Sequence, residues 1–268
     1  MKYKNIVIIA GQVIVTAVLL YLIFSKIKPG TVLQCFYLAD TRLLLAVSVL
    51  SIANHFFFMT FRYRAIIRMV GMKVSVSVSR VAKFGAIPLG IILPFKTGKI
   101  LRVFYLKNIG LPYRSGIISV FLELLISGCA LLCVFFFGLK IWAGLLFLVL
   151  IVIISRNFNE SFPVFLWSIA YETIRIFCVF LLFFSFGINL ALENILVKIP
   201  VMLFIAGLPI TVSGFGAREF SAIVLFSDIA VKEQIFSAAL AVSFIEFLIP
   251  GIVGLFFVKK FLKGIVEK

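Results

Sequence analysis

The sequence predicts an all-α integral membrane protein with six spans and two broken, re-entrant hairpins, arranged as an inverted-topology repeat. Three observations carry the prediction. The 268 residues are 63% hydrophobic, with mean hydropathy +1.24, whereas soluble domains are nearer half apolar. The apolar runs approach the ~20 residues a helix needs to cross a bilayer. Blocks of the first half also recur, in order, in the second. With most of the chain in lipid, an ordinary catalytic domain has no room beside it. A soluble enzyme is excluded, and the chain is expected not to be an enzyme.

The first span is residues 5–24. Lys2 and Lys4 resemble the basic start of a signal peptide, but the run is long and Ser25-Lys26-Ile27-Lys28-Pro29 is a poor cleavage site. The second span is 43–61, the third 115–137, the fourth, a short one, 140–155, the fifth 163–186 and the sixth 236–258. Two other apolar stretches, 81–95 and 195–210, are shorter and interrupted, by Pro88, Gly90 and Pro94 in one and by Pro200, Gly207 and Pro209 in the other. They read as broken or re-entrant helices, tolerated at membrane depth only where protein or a wet cavity surrounds them.

The net charge of +16 sets orientation rather than marking a nucleic-acid surface. The segment 62–114 and both termini fall on one side, which is therefore cytoplasmic. By this reading the cytoplasmic segments carry +16, the outer segments +2 and the spans −2. Arg62, Arg64 and Arg68 read as an anchor on anionic lipid or as a headgroup docking patch. The first hairpin opens to the cytoplasm and the second to the outside. The expected location is the cytoplasmic membrane.

The whole chain, 1–268, reads as a single transmembrane domain, with one repeat over about 1–138 and the other over about 139–268. Ser51-Ile52-Ala53 is echoed by Ser168-Ile169-Ala170, and Gly71-Met72-Lys73-Val74-Ser75-Val76 by Gly187-Ile188-Asn189-Leu190-Ala191-Leu192. Leu93-Pro94 through Gly98 to Arg102 matches Leu208-Pro209 through Gly214 to Arg218. The stretch Phe121 to Gly128, with Glu123, matches Phe244 to Gly251, with Glu246. Each repeat holds three spans, so the second copy is inserted upside down. Paired broken helices in inverted repeats are a transporter arrangement with a midplane site.

Charged residues inside apolar spans are costly, ~2.5–3.5 kcal/mol each on the insertion scale, and so mark function. Glu123 and Glu246 lie in spans three and six, and Glu172 and Arg175 one helical turn apart in span five. Arg102, Arg218 and Glu219 follow the glycine turns of the hairpins. The repeat pairs Arg102 with Glu123 and Arg218 with Glu246. These residues clamp the hairpins or contact an anionic headgroup, for which the planar guanidinium is suited. The turns themselves, Lys96-Thr97-Gly98-Lys99 and Thr211-Val212-Ser213-Gly214-Phe215-Gly216, combine permissive glycine with free amide groups, a geometry for anions or for simple packing. His55 is either a proton relay or an interhelical hydrogen bond. No metal is expected, with four scattered cysteines and a single histidine, and no cofactor.

The Leu93-Pro94…Gly98…Arg102 and Leu208-Pro209…Ser213-Gly214-Phe215-Gly216-Ala217-Arg218-Glu219 blocks resemble the transmembrane region of lysylphosphatidylglycerol synthases and its stand-alone, flippase-like relatives. The resemblance covers roughly 5–258. It implies translocation of a lipid between leaflets, without the aminoacyl transfer that a separate domain performs, in the cytoplasmic (inner) membrane of a bacterium or archaeon. The family often has an Arg beside the acidic residue of span three, where this chain has Leu124.

The expected function is therefore flippase-like translocation of a phospholipid or lipid-linked anionic headgroup. Gly98, Lys99, Arg102, Gly214, Gly216, Arg218 and Glu219 are the headgroup candidates, and Glu123, Glu172, Arg175, Glu246 and His55 the intramembrane pairs or coupling groups. The rivals are an ion-coupled transporter of a small anion, an intramembrane transferase and a scaffold for a lipid-modifying enzyme. Expected partners are membrane lipids, with a lipid-synthesising enzyme or a second copy as further candidates, and no nucleic acid.

Overall fold

The computed structural model describes residues 2–25, 27–92, 97–156, 161–208, 211 and 214–266, with side chains from residue 11 onward except at 92, 97 and 154–156. Every regular element among them is helical. In chain order they are α1 (Lys2–Phe24), α2 (Pro29–Leu38), α3 (Thr41–Met69), α4 (Val76–Phe84), α5 (Ala86–Ile92), α6 (Thr97–Asn108) and α7 (Tyr113–Leu139). These are followed by α8 (Ile141–Arg156), α9 (Ser161–Ser185), α10 (Leu192–Gly207), α11 (Ala217–Phe226) and α12 (Lys232–Val266).

Among the described residues, four helices are long and apolar enough to cross a membrane: α3, α7, α9 and α12. They correspond to spans two, three, five and six. The segment of span one joins α2 in a pair bent by 81°, which makes a fifth crossing if the pair is one span. The segment of span four is the 16-residue α8, whose apolar part is shorter than a full crossing.

The helix boundaries correct the sequence at three places. Span two does not stop at residue 61; α3 continues to Met69 and carries Arg62 into the bundle. The first hairpin breaks at Gly85 rather than at Pro88 and Gly90, which both lie within α5. Pro88 is tolerated there because it sits in the first turn, where a backbone N–H has no helical partner. In the second, α10 runs unbroken through Pro200. Packing along α7 offsets the lost bond and ring clash, which otherwise cost ~3 kcal/mol. Leu93, Pro94, Lys96, Pro209, Val212 and Ser213 lie outside the described residues.

Two blocks paired by sequence end their helices in one way. Gly71 and Gly187 both have positive φ, +97° and +76°. Met72 N–H bonds Ile67 O at 3.1 Å, and Ile188 N–H bonds Phe183 O at 3.1 Å. Each is a Schellman closure, with an apolar residue after the glycine returning toward the last turn.

The core sits where α9, α10, α11 and α12 meet, around Val179, Phe183, Met202, Phe226 and Val242. A second apolar cluster, around Tyr63, Ile67, Leu106 and Phe261, fastens α4 and α6 to α3 and the end of α12. Between the two lies a polar interior that neither covers.

Both α3 and α12 contain a π-helical stretch, His55–Met59 and Phe244–Leu248. The reason is visible in α12. Ile249 N–H bonds Phe244 O, five residues back. The next such bond would need an N–H on Pro250, which has none. Ile245 O is thereby released, and Ser51 Oγ from α3 shares its proton between that oxygen at 3.3 Å and Glu246 Oε1 at 2.8 Å. The two irregular stretches thus meet across one serine, and each delivers a polar side chain to the interior.

Candidate functional site

The polar interior is a half-enclosed cavity of about 330 Å³. Arg62 from α3, Lys83 from α4, Lys99 and Arg102 from α6 and Arg175 from α9 reach it, with Glu123 from α7, Glu172 from α9 and Glu246 from α12. Leu124, Leu131, Leu203 and Phe204 make an opposing apolar wall. Leu131 and Phe204 also line an apolar groove of about 90 Å³ between α7 and α10, with Leu132, Phe135, Pro200 and Val201.

The charges form one continuous chain. Glu246 Oε2 accepts from Arg175 Nε at 3.2 Å, and Arg175 Nη1 donates to Glu172 Oε2 at 3.3 Å. Glu172 Oε1 accepts from Arg62 Nη1 at 3.4 Å, and Arg62 Nη2 reaches Glu123 Oε1 at 3.4 Å. Lys83 Nζ bonds the same oxygen, and Arg102 Nη1 donates to Glu123 Oε2 at 2.7 Å. Each carboxylate is at most 5% exposed. Removing one partner of such a buried pair costs about 3–5 kcal/mol, because the other charge is left in low dielectric. The chain therefore ties six helices together as well as lining the cavity.

Gly98 is required by close approach. A Cβ there would collide with Ala86 O and lie 2.8 Å from Gly90 N. The start of α6 is thus pressed onto α5, which brings Lys99 and Arg102 to the cavity. Lys99 makes no hydrogen bond or ion pair with another described residue.

His55 lies at the α3–α9 contact. Its Nδ1 is 2.9 Å from Ser51 O, a group that only accepts, so Nδ1 carries the proton. Neutral Nε2 then accepts from Tyr171 Oη at 3.4 Å. Asn54 Nδ2 donates to Tyr171 O at 3.1 Å in the same contact.

The second glycine turn builds a second buried centre. Gly214 and Gly216 have φ +84° and +81°, a conformation that favours glycine, and lead into α11. Glu219 Oε2 accepts from Gly216 N–H at 2.7 Å, reaching back over the first turn as in a capping box. Ser243 Oγ donates to Glu219 Oε1 and accepts from Arg218 Nη1 at 2.5 Å. Arg218 is 1% exposed, its Cζ 5.0 Å from the Phe247 ring centre. Phe247 lines the cavity, whereas Arg218, Glu219, Gly214 and Gly216 do not.

The structure therefore gathers Gly98, Lys99, Arg102, Glu123, Glu172, Arg175, Glu246 and His55 at one cavity. The expected Arg218–Glu246 pair does not form. Glu246 is taken by Arg175 and Ser51, and Arg218 by Ser243, because the π-helical stretch turns Glu246 toward α9 and α3. Arg62, Lys83, Tyr171 and Ser51 were not selected from the sequence. Arg62 was grouped with Arg64 and Arg68, yet it lies about 200° around the helix from Arg64, whereas Arg64 and Arg68 are one turn apart. That angular difference was the available signal. Moving Arg62, Lys83, Lys99 and Arg102 from the cytoplasmic count to the interior changes the interior from −2 to +2. Among the described residues, no three His, Cys, Asp or Glu side chains gather to hold a metal.

No curated protein matches the chain. The family model for the lysylphosphatidylglycerol synthase TM region matches residues 8–158 and 152–254. With its membrane-length helices, the chain is a multi-pass membrane protein, and it belongs to the lysylphosphatidylglycerol synthase transmembrane-region family.

Proposed function

We propose that this chain is a flippase-like translocase that moves a phospholipid or lipid-linked anionic headgroup between the leaflets of the cytoplasmic membrane, without catalysing a reaction and without a cofactor. One observation carries the reading: the charged cavity and the apolar groove share Leu131 and Phe204. A lipid has the same two parts. Its headgroup would exchange water for Arg102, Lys99 and their neighbours, while a tail stays against the α7–α10 groove. Without such replacement, a polar group entering hydrocarbon loses its hydrogen bonds at about 2–7 kcal/mol each.

The wider architecture belongs to the same proposal: six spans and two re-entrant hairpins in an inverted repeat, in one domain, with both termini cytoplasmic. The matched Schellman closures after α3 and α9 support the repeat. The exposed Lys259, Lys260 and Lys263 at the end of α12 support the orientation. A partner enzyme that makes the lipid fits the same role.

The test uses the full chain in proteoliposomes containing a lipid with a fluorescent tail label, reduced from outside by dithionite. Faster loss of the inner-leaflet signal than in protein-free vesicles is expected, with a slowing of about tenfold or more in Arg102→Ala. No acceleration, together with uptake of a soluble anion, would replace the lipid reading with solute transport.

A further inference from the structure

The charge balance of the cavity identifies the class of headgroup, on the reading that the ligand is a lipid. Five cations and three carboxylates line the cavity, a formal excess of two positive charges. The excess is uneven. Lys83, Lys99 and Arg102 gather at the Glu123 end, Arg62 bridges Glu123 and Glu172, and Arg175 bridges Glu172 and Glu246.

The carboxylates have no idle oxygen. Both oxygens of Glu123, of Glu172 and of Glu246 already accept from protein donors. The idle groups are donors. Among the described residues Lys99 makes no hydrogen bond or ion pair, Lys83 Nζ bonds Glu123 alone, and Arg62 Nε is buried without a hydrogen-bond partner. The first turn of α6, at Gly98 and Lys99, adds the positive end of a helix dipole on the same side.

A site with spare donors, carboxylates that are each already paired with a cation and a formal excess of two positive charges suits a compact dianion. A phosphomonoester carries about −1.5 to −2 charges at pH 7, a diphosphate at least as much and a phosphodiester only one. We infer that the cavity selects a doubly charged phosphate headgroup, a phosphomonoester or diphosphate, over a phosphodiester, and excludes headgroups bearing an ammonium. A lysyl ester of phosphatidylglycerol sets two ammonium groups against one phosphodiester. It has the wrong sign for this cavity, although it is the lipid that the family's name suggests.

The experiment compares three tail-labelled lipids with identical acyl chains in proteoliposomes of the full chain: phosphatidate, phosphatidylglycerol and lysylphosphatidylglycerol. Phosphatidate is expected to cross about tenfold faster than the diester, with the lysyl lipid slowest. Lys99→Gln, which removes a charge that no hydrogen bond or ion pair to another described residue engages, is expected to narrow the first ratio to about threefold. Equal rates for all three, or a lead for the lysyl lipid, would overturn the charge inference while leaving translocation standing.

Binding supplies a second readout if no lipid crosses. Short-chain dihexanoyl phosphatidate should raise the melting temperature of the detergent-solubilised protein more than dihexanoyl phosphatidylglycerol, and Lys99→Gln should lose the difference. No difference in the wild type overturns the inference whatever the transport assay reads. Inorganic phosphate matching the effect of dihexanoyl phosphatidate upholds the charge selection but assigns it to a free phosphate, which overturns the lipid reading.

Discussion

Two buried arginine centres, paired by sequence, have different structures. Arg102 reaches forward 21 residues to Glu123, and the same carboxylate also holds Arg62 and Lys83. Arg218 sits beside its carboxylate in sequence, and Ser243 joins it to Glu219. The first centre brings an excess of cations to an open cavity. The second is formally neutral and 1% exposed at both charges, although Arg218 Nε and Nη2 have no hydrogen-bond partner among the described residues. Similar residues in corresponding places therefore do not carry similar roles. A centre with unspent charge and open volume can take a ligand, whereas one whose carboxylate is capped and bonded internally holds backbone in place.

The largest test of this contrast is Glu123→Gln. It leaves Arg62, Lys83 and Arg102 facing one another and is expected to cost about 3–5 kcal/mol, measured as lost thermal stability in detergent and as lower folded yield. Less harm than from a change at Ser243 would reverse the ranking of the two centres. Gly98→Ala comes next. Its Cβ falls on Ala86 O and near Gly90 N, which are backbone atoms that cannot turn aside. The expected cost is about 3 kcal/mol, with lipid transport falling further than stability because α6 carries Lys99 and Arg102 away from the cavity.

Ser243→Ala should lower stability by about 2 kcal/mol, since Arg218 and Glu219 both lose a buried partner. Transport measured below the new melting temperature should stay within about twofold of wild type. A specific transport defect in a well-folded Ser243→Ala protein would move the second centre into the binding machinery. The smallest effect is expected from Ser51→Ala, about 1 kcal/mol, because Arg175 still holds Glu246.

How much of this the sequence revealed depends on the range of the forces involved. The membrane-length helices follow from local hydropathy, and α3, α7, α9 and α12 fall close to where composition puts them. The intramembrane carboxylates follow from their cost in lipid, and Glu123, Glu172 and Glu246 all reach the cavity. Partner choice did not follow. Whether Glu246 meets Arg218 or Arg175 depends on the turn that the π-helical stretch imposes, and that stretch depends on Pro250 together with Ser51, nearly two hundred residues away. Arg62 was misread for the opposite reason. Its neighbours Arg64 and Arg68 made a plausible surface cluster, and only the angular position of each residue separates the buried one from the others.

The π-helical stretch of α12 also sets the phase of everything after it. Wound as a regular α-ladder, the same residues would turn the remaining helix by about 100°. Phe257 would then leave Phe84, now 5.5 Å away ring to ring, and Phe261 would leave Tyr105, now stacked at 5.1 Å. Lys260, now exposed, would rotate toward the place that Phe261 holds in the bundle. The surplus residue thus acts as a keyed joint, fixing which side of the terminal helix faces protein and which side faces its surroundings.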